Sequence, residues 1–331
     1  VHLDLTFKCN LKCIHCYLPC RLASRELSTV EWKKVMDGLA AMGTLFLTFS
    51  GGEILMRSDL FELVRHAFRK RFALTVFTNG VLIDERKADI LSGFPFRQIG
   101  VSVYSMDPAV HDSMTGVPGS LAKTVPAVEK LASAGHHIVV KTIITRINSR
   151  GYGEIEKWAR SLGPKVGFQY DMLVTPRLDG SHRETELNLD DRRRVSFLRE
   201  HSKDRNAGDR MEGLEKGRPA RRKSDTPCYA GQTGAYIGPT GEVHPCLDWL
   251  VDCGNVRHTP FAKIWKESEG MLFARGFKLG AMKKCMECGM VGSCSICPGL
   301  NDQENRDPAI PSVLVCARAR AAFQVGKGLK K

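Results

Sequence analysis

The stretch Cys9-Asn10-Leu11-Lys12-Cys13-Ile14-His15-Cys16 sets three cysteines on one tight loop with the spacing C-x3-C-x2-C. It follows directly on residues 1–6, a strand-like run. Zinc sites usually arrive as paired C-x2-C arms that close tetrahedrally with four ligands, and this spacing is of another kind. Three thiolates on one loop can hold three irons of a [4Fe–4S] cube, a cluster that ordinarily takes four. The iron left without a thiolate is open to an outside ligand. A zinc loop is the competing reading of these residues by themselves.

Outward from that loop the chain alternates. Ser28 and Glu31 form a capping-box pattern that opens a helix to about residue 42, with Val35, Leu39 and Met42 on one face. Residues 45–50 are a compact apolar run and read as the second strand. Asp59 opens a helix to about residue 71, with Leu60, Leu63, Val64 and Ala67 spaced for burial. The pattern repeats as strand 74–78 with helix 84–91, strand 98–104 with helix 121–134, and strand 138–144 with helix 154–162. Strand 165–170 closes the set. Such alternation implies a parallel sheet with helices outside.

Residues 172–223 lose the alternation. They are polar and charged, with one helix expected at 190–200 and an irregular loop at 205–223, so they read as a domain connection rather than a place for chemistry. Arg218, Arg221, Arg222 and Lys223 concentrate charge there and read as solvated linker. Beyond them stand Cys228, Cys246, Cys253, Cys285, Cys288, Cys294, Cys297 and Cys316. Read alone, the C-x2-C pairs suit zinc knuckles as well as iron. The segment 241–246 has the look of a hairpin.

At 331 residues the chain suits one large or two ordinary domains. Its twelve cysteines, with no signal peptide and no apolar run able to span a bilayer, point to metal binding in the cytoplasm rather than disulfides. The numbering starts abruptly on a strand, which leaves room for a recognition or targeting segment ahead of it. The net charge of +13 concerns partners. It favours an acidic peptide, an acidic electron donor such as a flavodoxin or ferredoxin, or nucleic acid.

The C-x3-C-x2-C loop after a first strand resembles the radical SAM superfamily, whose defining motif it is. The resemblance implies that S-adenosylmethionine (SAM) chelates the fourth iron and is cleaved to a 5′-deoxyadenosyl radical, the cofactors supplying the hard chemistry. It also implies a (βα)6 partial TIM barrel with cluster and SAM at the C-terminal strand ends, where parallel α/β folds collect ligands generally. Ser50-Gly51-Gly52-Glu53 looks like the family's GGE motif, with Glu53 an acceptor for the SAM amino group; Ile54 stands where most members have proline. Thr78 and Asn79 end the third strand on the same rim. Ser102 and Lys141 match positions of polar contacts to SAM, Asp171 faces the same mouth, and His15 is expected to pack.

The C-terminal cysteines resemble the SPASM extension of these enzymes, although the last interval is x2 rather than x3. By that resemblance Cys285, Cys288, Cys294 and Cys316 close one auxiliary [4Fe–4S] cluster. Cys228, Cys246 and Cys297 hold a second, with Cys253 a candidate fourth ligand, so the second cluster is either complete, open at one iron, or smaller. Three clusters and SAM are thus implied. Asp248, two residues after Cys246, is the candidate general base. The implied domains are 1–171 (barrel), 172–226 (linker) and 227–331 (SPASM, ending in a helix). The implied substrate is a ribosomally made peptide or protein, with a leader-recognition protein as a candidate partner and no membrane or nucleic acid. A tetrapyrrole substrate is the alternative. A basic zinc module binding nucleic acid is a distant one that leaves the GGE and the β/α units unexplained.

Overall fold

The computed structural model describes residues 1–19, 25–201, 221–291 and 294–328. The expected loop at 205–223, with Arg218, lies mostly outside the described residues. Six strands run parallel: β1 (His2–Asp4), β2 (Phe46–Ser50), β3 (Ala73–Thr78), β4 (Gln98–Ser102), β5 (Ile138–Ile143) and β6 (Val166–Asp171). Each is followed by at least one helix before the next: α1 (Thr29–Ala41), α2 (Leu60–Arg69), α3 (Glu85–Ser92), α4 (Pro108–Thr115), α5 (Ser120–Ser133) and α6 (Tyr152–Ser161). This is the expected (βα)6 partial barrel. Helix α4 was not anticipated. It starts at Pro108 behind an Asp107 cap and stops at Gly116 with φ 69°, both ordinary boundary signals.

The sheet continues past β1. Strand β7 (Tyr236–Ile237) pairs parallel to β1, and β8 (Val243–His244) pairs antiparallel to β7, giving the order β6-β5-β4-β3-β2-β1-β7-β8. The cysteine-rich part therefore begins as an extension of the barrel sheet, a continuity that the domain division at 227 does not convey. Helices α7 (Asp191–His201), α8 (Phe261–Glu267), α9 (Glu269–Gly276), α10 (Lys283–Met286), α11 (Pro298–Asn305) and α12 (Val313–Gly328) follow among the described residues. α7 packs with α12, where Phe197, Leu198, Ala321 and Val325 share a small core.

Register and the two-residue side-chain period separate the sheet's faces. Leu3, Leu47, Phe49, Leu74, Val76, Ile99, Val101, Ile138, Val140 and Val166 join one core with Trp32, Met36, Leu39, Leu63, Val64, Val128, Leu131 and Ile155 of the helices. The opposite, concave face follows from the same pairing: His2 with Thr48 and Tyr236, Asp4 with Ser50, Phe77 with Gly100, Ser102 with Lys141 and Gln169. That face is polar. Apolar burial on the helix side fixes the register, because a one-residue slip would turn Lys141 and Asp4 into the core.

Candidate functional site

The Cys9–Cys16 loop is clamped from three directions. Lys12 N–H donates to Thr115 O at 2.8 Å and Ile14 N–H to Met114 O at 3.0 Å, so the end of α4 holds its middle. Gly52 N–H and Glu53 N–H donate to Thr6 O and Lys8 O, both at 2.8 Å. Asn79 Nδ2 donates to Asn10 Oδ1 at 2.9 Å. A Cβ on Gly51 would stand 2.5 Å from Thr6 O, and one on Gly52 2.3 Å from Lys8 O. The glycines are therefore required by the backbone of the cysteine loop itself.

Glu53, expected as an acceptor for the SAM amino group, is engaged by donors of the protein itself. It is fully buried, and its carboxylate accepts from the Thr78 hydroxyl (2.8 and 2.9 Å), Asn79 N–H (2.7 Å) and Leu55 N–H (3.0 Å). It ties the ends of β2 and β3 together under the rim. Burial nevertheless pushes its carboxyl upward, against those three donors. Thr78 and Asn79 act in the same tie. His15 packs as expected, edge-on to Tyr104 at 4.5 Å, and burial with nearby His111 lowers it to about 4.

The segment after β6 contributes more than a connection. Leu178 N–H donates to Tyr17 O and Arg177 Nη2 to Leu18 O, both at 2.9 Å, which braces the exit of the cysteine loop. The stretch expected as a domain connection thus also buttresses the cysteine loop. A buttressing arginine carries no local signal in sequence.

The thiols gather in three sets. Burial raises Cys9 to about 11 and Cys13 to about 12, with their neighbours in the loop adding to the shift. Cys297 is raised to about 12 by burial, with Asp248 and Cys228 adding, and Cys246 is raised by burial, Asp248 and Cys297. Burial, then Cys316 and Cys285, raises Cys294 to about 11; burial, then Cys316 and Cys288, raises Cys285. Cys253 stands apart. It is 4% exposed in the main core, against Gly270, and its charged neighbours are Asp252 and Arg275. The structure does not bring it to Cys228, Cys246 and Cys297.

Crowded thiols that resist ionisation alone suit a centre whose iron charge stabilises the thiolates. Among the described residues no three histidine, cysteine or acidic side chains converge to hold one metal ion. A cube distributes its thiolates over separate irons, so the three sets fit that donor pattern.

On the concave face, Lys141 Nζ lies 3.8 Å over the Phe77 ring, in room left by Gly100, where a Cβ would meet that ring at 2.6 Å. Burial lowers Lys141, and Asp171 partly restores it. Asp171 approaches Arg318 of α12 at 3.9 Å. Asp248 is raised by burial and then by Asp171. His2, Asp4, Tyr17 and Tyr236 form a further polar group that the sequence reading passed over. Its only sequence signal is the polar phase of residues 2, 4 and 6 against Leu3 and Leu5.

The radical SAM superfamily model matches residues 3–162, and the SPASM iron–sulfur cluster-binding domain model matches residues 228–289. The AdoMet-dependent heme synthase of Nitratidesulfovibrio vulgaris is 28% identical over 298 residues, covering 80% of this chain and 78% of that one. The antilisterial bacteriocin subtilosin biosynthesis protein AlbA of Bacillus subtilis is 28% identical over 317 residues, covering 91% and 68%. SuiB of Streptococcus suis, solved with precursor peptide SuiA, superposes with a TM-score of 0.75 at 17% identity over 95% of this chain and 75% of that one, a likeness of fold. No helix among the described residues is long and apolar enough to cross a membrane. With one model on the clamped cysteine loop and its barrel, and the other on the cysteines that extend the same sheet, the chain is an enzyme of the radical SAM superfamily with a C-terminal SPASM domain.

Proposed function

We propose that this enzyme modifies a ribosomally made peptide or protein through hydrogen abstraction. Cys9, Cys13 and Cys16 would hold the SAM-binding cluster. Cys285, Cys288, Cys294 and Cys316 would hold one auxiliary cluster, and Cys228, Cys246 and Cys297 a second with one iron lacking a cysteine. When bound, the cluster and SAM supply an electron and a 5′-deoxyadenosyl radical that takes hydrogen from substrate. The chain's own contribution is to hold and orient. Gly51, Gly52, Glu53, Thr78 and Asn79 fix the cysteine loop, while Ser102 and Lys141 present polar groups beside it.

The observation that carries the peptide reading is the concave face. It offers charges of both signs (Lys141, Arg318, Asp171, Asp248), and among the described residues the sheet stays open, with β6 and β8 as its edges. An open face of mixed charge accommodates an extended chain with amide dipoles and charged side chains. The similarity to AlbA points the same way. A tetrapyrrole is the second reading, favoured by the aromatic ladder His2–Tyr236–His244 and by the similarity to heme synthase. An acidic electron donor suits the net charge, and a leader-recognition protein would supply the binding element this chain does not identify.

The test is strictly anaerobic reconstitution followed by metal analysis and turnover with SAM and dithionite. About twelve irons per chain are expected, four per cube, with 5′-deoxyadenosine formed. A synthetic precursor peptide encoded beside this chain's gene should change mass, and an iron porphyrin bearing propionates should not. Turnover of the porphyrin alone would select the second reading. Bound zinc without 5′-deoxyadenosine would overturn both.

A further inference from the structure

The concave face carries a dyad that the cofactor chemistry does not use. His2 Nε2 lies 2.8 Å from Asp4 Oδ1. Asp4 is fully buried, and its Oδ2 accepts from the Tyr17 hydroxyl at 3.1 Å and the Tyr236 hydroxyl at 3.0 Å. Phenol donors on one oxygen and an imidazole on the other are satisfied by an ionised carboxylate, which assigns the N–H of neutral His2 to Nε2. The lone pair is then on Nδ1. That nitrogen has no hydrogen-bond partner among the described residues, and the side chain is 24% exposed.

The ring is held from both sides, stacked on Tyr236 at 5.8 Å and tilted to Phe77 at 6.3 Å. Asp4 faces it from its own strand and Asp248 acts on it from the loop after β8. Tyr236 faces it from β7 with His244 of β8 stacked behind, and Lys141 of β5 sits over Phe77. A buried carboxylate turned on one imidazole nitrogen fixes the tautomer and stabilises the imidazolium.

We propose that His2 is the acid–base residue of the concave face, with Asp4 as its positioning residue. A proton leaves an N–H, O–H or S–H of the substrate for Nδ1, Nε2–H remains on Asp4, and the imidazolium is held by the Asp4 carboxylate until the proton returns. The proposal rests on the reading that substrate occupies this face. Asp248 was the base expected from sequence; His2 adds an open lone pair held by a defined hydrogen bond.

Diethyl pyrocarbonate is the probe, applied to the reconstituted chain and mapped by peptide mass. His2 should be carbethoxylated, because its hydrogen bond to Asp4 leaves Nδ1 open. In D4N, which removes the carboxylate that fixes the tautomer, the rate of carbethoxylation should change. A His2 that stays unreactive, or a rate unmoved in D4N, overturns the proposal. H2Q keeps a donor towards Asp4 and removes only Nδ1. With the precursor peptide it should slow product formation about 10²-fold or more, whereas the parental rate would overturn the assignment. Failure of the unsubstituted chain to form 5′-deoxyadenosine sinks the radical reading instead, and the carbethoxylation rates still decide His2.

Discussion

The cysteine loop at the barrel and the Cys228/Cys246/Cys297 set gather the same kind of ligand in opposite ways. The first takes its thiols from eight consecutive residues and is held mainly by backbone hydrogen bonds, with the Asn79 amide and the Arg177 guanidinium beside them. The second draws on the approach to β7, the turn after β8 and the cap of α11, where Leu300 N–H meets Cys297 Sγ at 3.4 Å. A local set is readable as a motif. A set assembled across fifty or more residues exists only once the sheet has been extended past β1.

The sharpest way to break this comparison is to remove one thiol from each set. C13A should abolish 5′-deoxyadenosine formation and lower iron by about four per chain. C246A should also lose iron, yet still cleave SAM, because the clamp on the first loop does not involve β8. Anaerobic metal analysis beside a 5′-deoxyadenosine assay reads both. Loss of SAM cleavage in C246A would mean that the two sets are not independent.

The next largest effect concerns the clamp. G52A places a methyl 2.3 Å from Lys8 O and 2.8 Å from Lys8 C, backbone atoms that cannot swing away. Overpacking of this kind costs about 1–3 kcal/mol, and the displaced loop should take up less iron. Thermal melts and iron content against the parent chain test it, and unchanged values for both would show that the loop adjusts freely.

Gly52 also marks what sequence could and could not convey. The GGE motif, the C-x3-C-x2-C loop and six strand–helix units are legible because each depends on neighbours in the chain. Glycine's purpose here was less so: the pattern signals close approach, and only the fold shows that the approaching group is the Lys8 carbonyl. Glu53 reads as an acceptor at the mouth from its place after two glycines at a strand end. Its burial depends on Thr78 and Asn79 arriving from β3. Cys253 follows the cysteine count towards a ligand role, whereas β8 and Gly270 direct it into the core. His2 and Asp4 are near-invisible in sequence because their partners Tyr17 and Tyr236 lie 13 and 232 residues from Asp4.

Cys253 sharpens the comparison at a smaller scale. C253A should leave iron per chain unchanged and cost about 1 kcal/mol, the scale of one small buried group. Metal analysis and urea melts measure the two. A loss of iron equal to that of C246A would return Cys253 to the second set.

The smallest expected effect tests how the two parts of the chain are joined. Arg257 donates from Nε to Glu31 Oε1 at 3.1 Å and from Nη2 to Arg25 O at 2.7 Å, so the SPASM side grips the start of α1. Glu31 is held down to about 2, first by the Ser28 N–H of the capping box and then, after an opposing burial effect, by the Ser28 hydroxyl and Arg257. A folded value below the ordinary 4.5 means that the contribution is complete above about 4.5 and is lost as pH falls towards 2. It is therefore fully present at the neutral pH where the clusters are handled. There E31Q and R257A should each lower the melting temperature, and a double-mutant cycle should give a coupling of about 0.5 kcal/mol, the scale of a partly exposed ion pair. Added salt should shrink it. A coupling of zero would leave the β1–β7 pairing and the shared core of α1 with Phe261 and Ile264 as what joins the barrel to the cysteine-rich region.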